Sequence, residues 1–465
     1  MFKPKIFRDY DIRGVVGTDF DEQLAFQLGQ AYGSLVRETF PTKKSLTVGV
    51  GYDCRLTNTL MSGALSNGIR AVGVNVLDTG MGATPQLYFS VFHRDLDGGI
   101  QVTASHNPSD QNGFKMMVGK KTLSGKDIYD LRSRVEKLDQ GGKATSAEQG
   151  SIEKWDAQSA YLAELIERSR SHMGKRKLKV VADAGNGVGA PVGPQLLRAL
   201  GCEVIELYTE PDGRFPNHHP DPTVLENIQD MIKLVRETKA DLGIAWDGDA
   251  DRIGVVDENG EAIFGDMLLV IFGRQLLSEV KNPTIIGDVK CSELMFKDLS
   301  ARGANTVMSR TGHSFIKAKL QELGAELGGE MSGHMFFKHR YFGFDDAIHA
   351  SGRIVEILSN TDKKMSELLD GIPKTFSTPE IRVDTPEEVK FQVAEKAKTL
   401  FPEYETNPLD GVRIMFPKGW GLVRASNTQP ALVMRFEAET QALLEEYQTL
   451  VETRIKKLEA ELLGK

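Results

Sequence analysis

Asp247, Asp249 and Asp251 occupy alternate positions of the segment D-G-D-A-D-R, which directly follows the apolar run L-G-I-A-W. Carboxylates at alternate positions of one loop can turn toward a single cation, and oxygen-only ligands select a hard ion such as Mg²⁺ or Ca²⁺. The segment therefore predicts a divalent metal site at the end of a buried strand.

A calcium EF-hand is the first alternative, because Glu258 stands at position twelve of a loop counted from Asp247. The EF-hand loop requires glycine at position six, where this chain has Arg252, and its flanks must be helical, whereas I-A-W and I-G-V-V favour strands. A solvated acidic turn without an ion is the second alternative. Dense charge that opens directly from an apolar strand is costly without a cation, so the metal site is favoured.

Ser105 and His106 are neighbours in the segment T-A-S-H-N-P. A serine beside a histidine suggests hydrolase chemistry, but adjacent side chains of an extended loop point to opposite sides. We therefore expect His106 to be badly placed to deprotonate Ser105, and the role of the serine must depend on other loops.

Basic residues must accompany the aspartates. Three carboxylates against one divalent cation leave about one negative charge, and two like charges ~4 Å apart repel by roughly 4 kcal/mol at an effective dielectric near 20. The candidates are Arg252, Lys115 after N-G-F, and Lys290 after the run T-I-I-G-D. Each could equally be an ordinary surface base.

Two further loops carry ligand-binding side chains. The segment R-A-S-N-T-Q-P combines an arginine fork with three neutral donors, a set that suits phosphate oxygens, although it is also good turn chemistry; its residues are Arg424, Ser426, Asn427 and Thr428. In G-E-M-S-G-H, Glu330 and Ser332 are two apart and point the same way on an extended loop, which suits vicinal sugar hydroxyls.

These loops end repeated strand and helix patterns. Three apolar runs each end in an aspartate, at Asp53, Asp183 and Asp288, and each is followed by a helical stretch, a second strand, a second helix and a third strand. Near-continuous apolar strands that alternate with helices predict three related mixed-sheet α/β domains, and their sites lie at the carboxyl ends of the strands. Chance similarity of α/β segments is the alternative.

Polar linkers at residues 137–151, 257–260 and 369–375 divide the chain into predicted domains at 1–150, 151–256, 257–369 and 370–465. The last is predicted to be α+β. Its final helix begins at about Glu439 and carries an apolar stripe at helical spacing: Leu443, Leu444, Tyr447, Leu450, Val451, Ile455 and Leu458. Core packing is the favoured role of this stripe, and a dimerising coiled coil is the alternative.

The composition limits the partners. The chain has 465 residues, 40% hydrophobic and 26% charged, and its net charge of −8 gives no general attraction to nucleic acid or an anionic membrane. Cys54, Cys202 and Cys291 have neither zinc nor disulfide spacing, and no apolar run reaches the ~18 residues of a membrane span. We expect a cytoplasmic monomer without a signal peptide or anchor.

Taken together, the motifs resemble those of the α-D-phosphohexomutase family, in the family's order and over nearly the whole chain. They are T-A-S-H-N-P-x-x-x-N-G-x-K, D-G-D-A-D-R, G-E-M-S-G-H and R-A-S-N-T-Q-P. The segments F-R-D-Y-D-I-R-G, V-K-C and R-T-G-H resemble the bacterial phosphomannomutase/phosphoglucomutase branch. The resemblance implies four domains around a cleft, a phosphorylated Ser105, and Mg²⁺ held by the three aspartates together with the serine phosphate.

The resemblance also implies a reaction. A hexose 1-phosphate becomes a hexose 6-phosphate through a hexose 1,6-bisphosphate, which turns end over end in the cleft and also serves as activator. Catalytic roles are implied for Ser105, Arg252, and Lys115 or His106 near the transferred proton. Ligand contacts are implied for Tyr10, Arg13, Lys290, His313, Glu330, Ser332, His334, Arg424, Ser426, Asn427 and Thr428.

One departure concerns the segment G-Y-D-C-R, where the family often has G-R-D-x-R. No phosphate contact is assigned to Tyr52, so Arg55 is expected to supply any charge there. Met331 resembles the branch that accepts both mannose and glucose, whereas glutamine is more typical of phosphoglucosamine mutase, which is the alternative function. An apolar methionine cannot bind a 2-hydroxyl or 2-amino group, which fits tolerance at C2.

Two functions of other classes are weighed against the mutase. A metal-dependent sugar phosphatase could use the same acidic loop, but hydrolysis leaves a separate distal phosphate loop unexplained. A sugar-phosphate binding protein without turnover would leave Ser105 without a purpose.

Overall fold

The chain, described here from a computed structural model, begins with a mixed seven-stranded sheet. The structure describes residues 2–426 and 430–463. The strands are β1 (Ile12–Val15), β2 (Thr47–Tyr52), β3 (Asn75–Met81), β4 (Gly98–Val102), β5 (Gln111–Val118), β6 (Lys121–Thr122) and β7 (Ile152–Lys154). The helices are α1 (Glu22–Thr39), α2 (Asn58–Ala71), α3 (Thr84–His93) and α4 (Lys126–Asp139). Central β2 pairs in parallel with β3 and β4, and β4 pairs antiparallel with β5.

A second sheet of five strands repeats this arrangement. Its strands are β8 (Lys179–Asp183), β9 (Glu203–Leu207), β10 (Leu242–Trp246), β11 (Ile253–Asp257) and β12 (Ala262–Ile263), and its helices are α5 (Ala157–Arg170), α6 (Gly193–Ala199) and α7 (Gln229–Thr238). Central β8 is parallel to β9 and β10, and β10 is antiparallel to β11.

A third sheet of four strands has the same order. Its strands are β13 (Thr284–Asp288), β14 (Asn305–Ser309), β15 (Leu327–Gly329) and β16 (Met335–Phe337), with helices α8 (Gly265–Glu279), α9 (Glu293–Ala301), α10 (His313–Leu323) and α11 (Ala347–Ser359). Again the first strand lies between two parallel partners, and the third pairs antiparallel with the fourth. The predicted threefold repeat of mixed-sheet α/β units is confirmed.

The remainder forms an antiparallel sheet with two helices. Its strands are β17 (Phe376–Ser377), β18 (Ile381–Asp384), β19 (Glu405–Asn407), β20 (Val412–Phe416), β21 (Gly419–Ala425) and β22 (Ala431–Ala438), and its helices are α12 (Glu387–Ala397) and α13 (Gln441–Leu462). Thr440 caps α13 by accepting from the Leu443 N–H. The predicted stripe of α13 packs into this domain's own core, as expected for core packing.

The sheets cross two predicted domain limits. Strand β7 lies beyond residue 150 yet pairs with β3 of the first sheet, and β12 lies beyond residue 256 yet pairs with β11 of the second. Both are short edge strands, and the polar composition of their surroundings resembles that of a linker. Sequence patterning alone therefore placed these two limits too early.

Apolar packing differs between the domains. One cluster of buried residues runs from Tyr88 and Phe89 in the first unit through Trp246 in the second to Phe344 in the third. The fourth unit has its own core and meets the third through a small cluster of Val289, Trp420 and Leu422. No helix within residues 2–426 and 430–463 combines the length and apolarity that crossing a membrane requires.

Candidate active site

Ser105 follows β4 and adopts a left-handed backbone conformation, with φ of 52°. Its hydroxyl donates to Asp247 Oδ2 at 2.8 Å and lies 3.0 Å from His106 Nδ1. The expectation that the two neighbours point apart is wrong, because the loop is not extended at Ser105. Burial, together with nearby Arg252, lowers the pKa of His106 well below its usual range, so its imidazole is neutral.

Arg55 supports the loop at residues 103–111, hereafter the serine loop. Its guanidinium donates to four backbone carbonyl oxygens: those of Ser105 (2.8 Å), Asn107 (2.6 Å), Pro108 (2.6 Å) and Gln111 (2.8 Å). Its Nε contacts Asp53 Oδ2 at 3.2 Å. The Arg55 donors are thus used by the serine loop and by Asp53, so any contribution of Arg55 to a phosphate would come from its charge and not from a direct hydrogen bond.

The three aspartates lie at the carboxyl end of β10, fully buried, with one oxygen of each within 4.8 Å of the others. Burial and the charges of Asp249 and Asp251 raise the pKa of Asp247 well above its usual range. Oδ1 of Asp249 is buried and has no hydrogen-bond partner within the described part of the chain. An oxygen-only donor set with an unpaired buried carboxylate oxygen fits a divalent cation such as Mg²⁺.

Lys115, on β5, reaches the aspartates from the first sheet. Its ammonium lies 2.6 Å from Asp249 Oδ2 and 2.5 Å from Asp251 Oδ2. Burial alone would lower the pKa of Lys115, but these two carboxylates raise it, so the ammonium stays charged. For Asp251 the directions are reversed. Burial alone would raise its pKa, but the positive charges of Lys115 and His334 hold the pKa of Asp251 well below its usual range.

Glu330 and Ser332 share a face of the loop after β15, as their spacing predicted, with Ser332 Oγ 3.3 Å from Glu330 Oε2. Glu330 also accepts from the Gly312 N–H at 2.5 Å and from His334 Nδ1 at 2.6 Å. Although burial opposes it, the hydrogen bond and charge of His334 lower the pKa of Glu330 to about 2. The carboxylate is therefore ionised and can accept hydrogen bonds from hydroxyl groups.

His334 connects the loop after β15, at residues 330–334, to the loop of the three aspartates. Its Nε2 lies 3.2 Å from Asp251 Oδ1 and 3.3 Å from Arg252 Nε. Burial lowers the pKa of His334, but Asp251 and Glu330 raise it to about 9. A charged imidazolium therefore stands between two loops that come from different sheets.

The N-terminal segment contributes Arg13 and Tyr10. Arg13 donates to Asp11 Oδ2 (2.6 Å), the Ala104 carbonyl (3.2 Å) and Asn107 Oδ1 (2.9 Å), so it also braces the serine loop. The Tyr10 ring meets the His313 ring edge-on, with centroids 5.6 Å apart. Tyr10 lies near Glu330: burial raises the pKa of the Tyr10 hydroxyl, and the charge of Glu330 adds to this rise.

Lys290 and Arg424 each face an acidic residue of the fourth domain. Lys290 Nζ lies 3.1 Å from Glu380 Oε2, and Arg424 Nε lies 3.0 Å from Asp410 Oδ2. The backbone N–H of Ser426 donates to Ala431. Predicted residues Asn427 and Thr428 lie outside the described residues.

The Met331 side chain belongs to the large apolar cluster and is 9% exposed. The inference that Met331 sets tolerance at C2 of the sugar therefore has no support from its position, because core packing accounts for an apolar residue there.

Sequence reasoning missed three residues near Ser105 and the three aspartates. Thr84, the first residue of α3, donates from its hydroxyl to Asp249 Oδ2 at 2.5 Å. Asp221, in the H-P-D-P segment, lies 3.9 Å from His106 Nε2. The third, Asp53, accepts from the Thr103 hydroxyl at 2.6 Å. Thr84 and Asp221 lie far in sequence from their partners, so no local pattern points to them. Asp53 was noted only as the end of an apolar run, and that repeated aspartate was the signal that could have found it.

Four family models described as phosphoglucomutase/phosphomannomutase domains match the chain in order. Alpha/beta/alpha domains I, II and III match residues 4–141, 159–260 and 264–376, and the C-terminal domain matches residues 380–453. The chain belongs to the phosphoglucomutase/phosphomannomutase family. The resemblance noted from its motifs is confirmed.

Individual relatives carry the same family name as the matching models. The phosphomannomutase/phosphoglucomutase of Pseudomonas aeruginosa is 44% identical over 459 residues, which cover 98% of this chain and 96% of the relative. The crystal structure of a phosphoglucomutase/phosphomannomutase family protein from Burkholderia thailandensis has a TM-score of 0.89 at 40% identity and covers 98% of both chains.

A more distant structure shares the fold. The Aspergillus fumigatus N-acetylphosphoglucosamine mutase, in complex with GlcNAc-6P and magnesium, has a TM-score of 0.59 at 16% identity and covers 92% of this chain and 80% of its own. As a member of the phosphoglucomutase/phosphomannomutase family, the chain is an isomerase that interconverts hexose phosphates. This function is favoured over phosphoglucosamine mutase and over a sugar phosphatase.

Proposed function

We propose that the enzyme isomerises the 1-phosphates of α-D-mannose and α-D-glucose to the 6-phosphates by way of a phosphorylated Ser105. The observation that carries this proposal is the contact of the Ser105 hydroxyl with Asp247, at 2.8 Å, inside a cluster of three buried aspartates. A hydrolase nucleophile requires a neighbouring base, and neutral His106, 3.0 Å from Ser105 Oγ, can act as one. A phosphate carrier requires in addition a cation beside its oxygens, and the three buried aspartates next to Ser105 offer a site for that cation.

Mg²⁺ is the proposed cofactor, held by Asp247, Asp249 and Asp251 together with Ser105. When bound, it supplies charge neutralisation for the oxygens of a transferring phosphoryl group. Lys115 and Arg252 add positive charge from the chain itself. The A. fumigatus relative was crystallised with magnesium, which supports the choice of ion.

The proposed reaction has two phosphoryl transfers. In the first, the free 6-hydroxyl of the hexose 1-phosphate attacks the Ser105 phosphate; the serine O–P bond breaks, the O–P bond at C6 forms, the hydroxyl proton passes to a base, and the serine oxygen takes up a proton. In the second, the Ser105 hydroxyl attacks the 1-phosphate of the resulting hexose 1,6-bisphosphate; the O–P bond at C1 breaks, the serine O–P bond forms, the serine proton passes to a base, and the C1 oxygen takes up a proton. Ser105 is phosphorylated again, and the 6-phosphate sugar leaves.

His106 is a proposed proton acceptor for these steps, since its neutral imidazole lies 3.0 Å from Ser105 Oγ. Lys115 is the weaker candidate, because two carboxylates keep its ammonium charged. Glu330, Ser332 and His334 are proposed to hold the sugar hydroxyls, with Tyr10, Arg13, Lys290 and His313 around the ligand. Arg424, Ser426, Asn427 and Thr428 are proposed to bind the distal phosphate.

The enzyme is further proposed to act as a monomer in the cytoplasm. Cys54, Cys202 and Cys291 are free thiols, which suits a reducing compartment. Light scattering of the purified protein tests the oligomeric state, because a mass of about twice 51.3 kDa would contradict a monomer.

Intact mass and product analysis test the reaction. We expect a fraction of the purified protein to be heavier by one phosphate, and we expect Ser105→Ala to lose this fraction together with activity. Ser109→Ala, in an exposed position of the same loop, is the matched control and should keep both. Release of free sugar and inorganic phosphate from mannose or glucose 1-phosphate would identify a phosphatase. Faster turnover of glucosamine 1-phosphate would identify the alternative mutase.

A further inference from the structure

Asp410 lies in the turn before β20, at the boundary between the third and fourth domains, and its side chain is 10% exposed. One of its oxygens, Oδ2, accepts two hydrogen bonds. The first comes from Arg424 Nε at 3.0 Å, and the second comes from the backbone N–H of Thr311 at 3.1 Å. A single oxygen atom thus joins an arginine of the fourth domain to a loop of the third.

The contact with Asp410 restricts how Arg424 can present its guanidinium. Since Nε is bound to Asp410, the opposite edge, which carries the two Nη atoms, is the edge left for a ligand. Nη2 of Arg424 is buried and has no hydrogen-bond partner within residues 2–426 and 430–463. An arginine that is fixed at one edge and unpaired at the other is prepared for a phosphate oxygen, because less side-chain freedom is lost on binding.

The second contact, with the Thr311 N–H, connects Asp410 to the loop that holds Glu330, at residues 330–334. Thr311 precedes Gly312, whose N–H donates to Glu330 Oε1 at 2.5 Å. The hydroxyl of Thr311 donates to Asp288 Oδ2 at 2.8 Å, which holds this short segment against the end of β13. Arg424 and Glu330 are therefore both held by the Thr311–Gly312 segment: Arg424 through Asp410, and Glu330 through the Gly312 N–H.

We propose that Asp410 is a positioning residue that aims Arg424 at the ligand's distal phosphate and sets its distance from the sugar-binding Glu330. The proposal rests on the proposed function, which assigns the ligand to these two side chains. Glu380 differs from Asp410 in this respect: its partners among the described residues are the ammonium of Lys290 and the guanidinium of Arg382, and neither belongs to the Thr311 segment. Asp410 is the carboxylate that joins both parts of the ligand site.

The test compares Asp410→Asn with the wild type in turnover of α-glucose 1-phosphate and in binding of glucose 6-phosphate by calorimetry. Loss of the charge that holds Arg424 should raise KM and Kd about tenfold, with kcat changed less than about threefold. Glu403→Gln is the matched control, because it removes a carboxylate paired with Arg454 on the exposed side of the same domain. It should leave KM and Kd unchanged.

A double-mutant cycle separates positioning from a structural role. If Asp410 acts through Arg424, then Asp410→Asn should weaken binding in the wild type but not in an Arg424→Ala background. Additive effects, or a KM and Kd that Asp410→Asn does not change, would overturn the proposal. The proposed function has a separate readout: if wild-type protein binds glucose 6-phosphate but forms none from the 1-phosphate, the mutase reaction fails while the cycle still tests Asp410.

Discussion

The guanidinium of Arg55 donates from Nη2 to the backbone carbonyl oxygen of Ser105 at 2.8 Å. The two residues are 50 positions apart, and the arginine is completely buried beneath the loop. Ser105 has a left-handed backbone conformation, which costs a residue with a side chain roughly 1–2 kcal/mol. The loop therefore needs external support to keep the hydroxyl directed at Asp247, and Arg55 provides it.

Arg55→Lys should reduce kcat/KM about 100-fold, because an ammonium cannot reach four carbonyl oxygens at once and a misplaced reacting group loses about that factor. Steady-state turnover of glucose 1-phosphate measures the loss. Arg70→Lys is the control, since Arg70 also donates to a backbone carbonyl of the first domain, that of Gly150, away from the serine loop. Equal activity of the two variants would show that the support by Arg55 is dispensable.

Thr84→Val should weaken the response of the enzyme to Mg²⁺. The valine keeps the shape of the side chain but loses the hydroxyl that orients Asp249, and loss of such a partner typically lowers metal affinity about 10–100-fold. The Mg²⁺ concentration for half-maximal activity is the measurement. Thr238→Val removes a hydroxyl whose partner among the described residues is the Leu234 carbonyl of α7, and it should leave that concentration unchanged.

Lys115→Met should destabilise the metal-free protein more than the Mg²⁺-loaded protein. Removing one member of a buried ion pair costs about 3–5 kcal/mol, because the carboxylates of Asp249 and Asp251 stay buried without their counter-ion. Thermal unfolding in EDTA and in excess Mg²⁺ should show a larger rise of Tm with metal for this variant than for the wild type. In Lys120→Met, which removes a surface pair with Asp95, the rise should match the wild type.

Asp346→Asn should change how stability depends on pH. Burial raises the pKa of Asp346 to about 7, against the hydrogen bonds from the His349 N–H and the hydroxyls of Tyr341 and Tyr161. Since the folded protein then binds more protons than the unfolded chain between pH ~4 and ~7, stability falls as pH rises through this range, by up to about 1.4 kcal/mol per unit.

The measurement is Tm at pH 5 and pH 7. The wild type should lose more stability between these two values than Asp346→Asn does, and Asp139→Asn, at an exposed helix end, should follow the wild type. A parallel decline in wild type and Asp346→Asn would show that the Asp346 carboxyl does not titrate in this range.

The amino-acid sequence by itself determined the repeated sheets and the loops that meet. Apolar runs that alternate with helical stretches predicted β2, β8 and β13 as the first strands of three repeats. The rule that sites lie at the carboxyl ends of parallel strands placed Ser105, Asp247 and Glu330 in equivalent loops. Helix α13 was predicted to within two residues of its start, because its apolar spacing is long and regular. These features are periodic or local, so a single chain displays them.

Only the tertiary structure decided which side chains hold these loops in place. Arg55 donates to Ser105, 50 positions away, and the Thr84 hydroxyl donates to Asp249, 165 positions away. The Asp410 carboxylate accepts from Thr311, 99 positions away, and from Arg424, 14 positions away. The contacts of Arg55 with Ser105 and of Asp410 with Arg424 depend on packing within a domain, whereas those of Thr84 with Asp249 and of Asp410 with Thr311 depend on packing between domains. None of them has a period in the sequence. The residue types that do the chemistry could therefore be read from the chain, whereas the residues that aim them could be found only in the folded molecule.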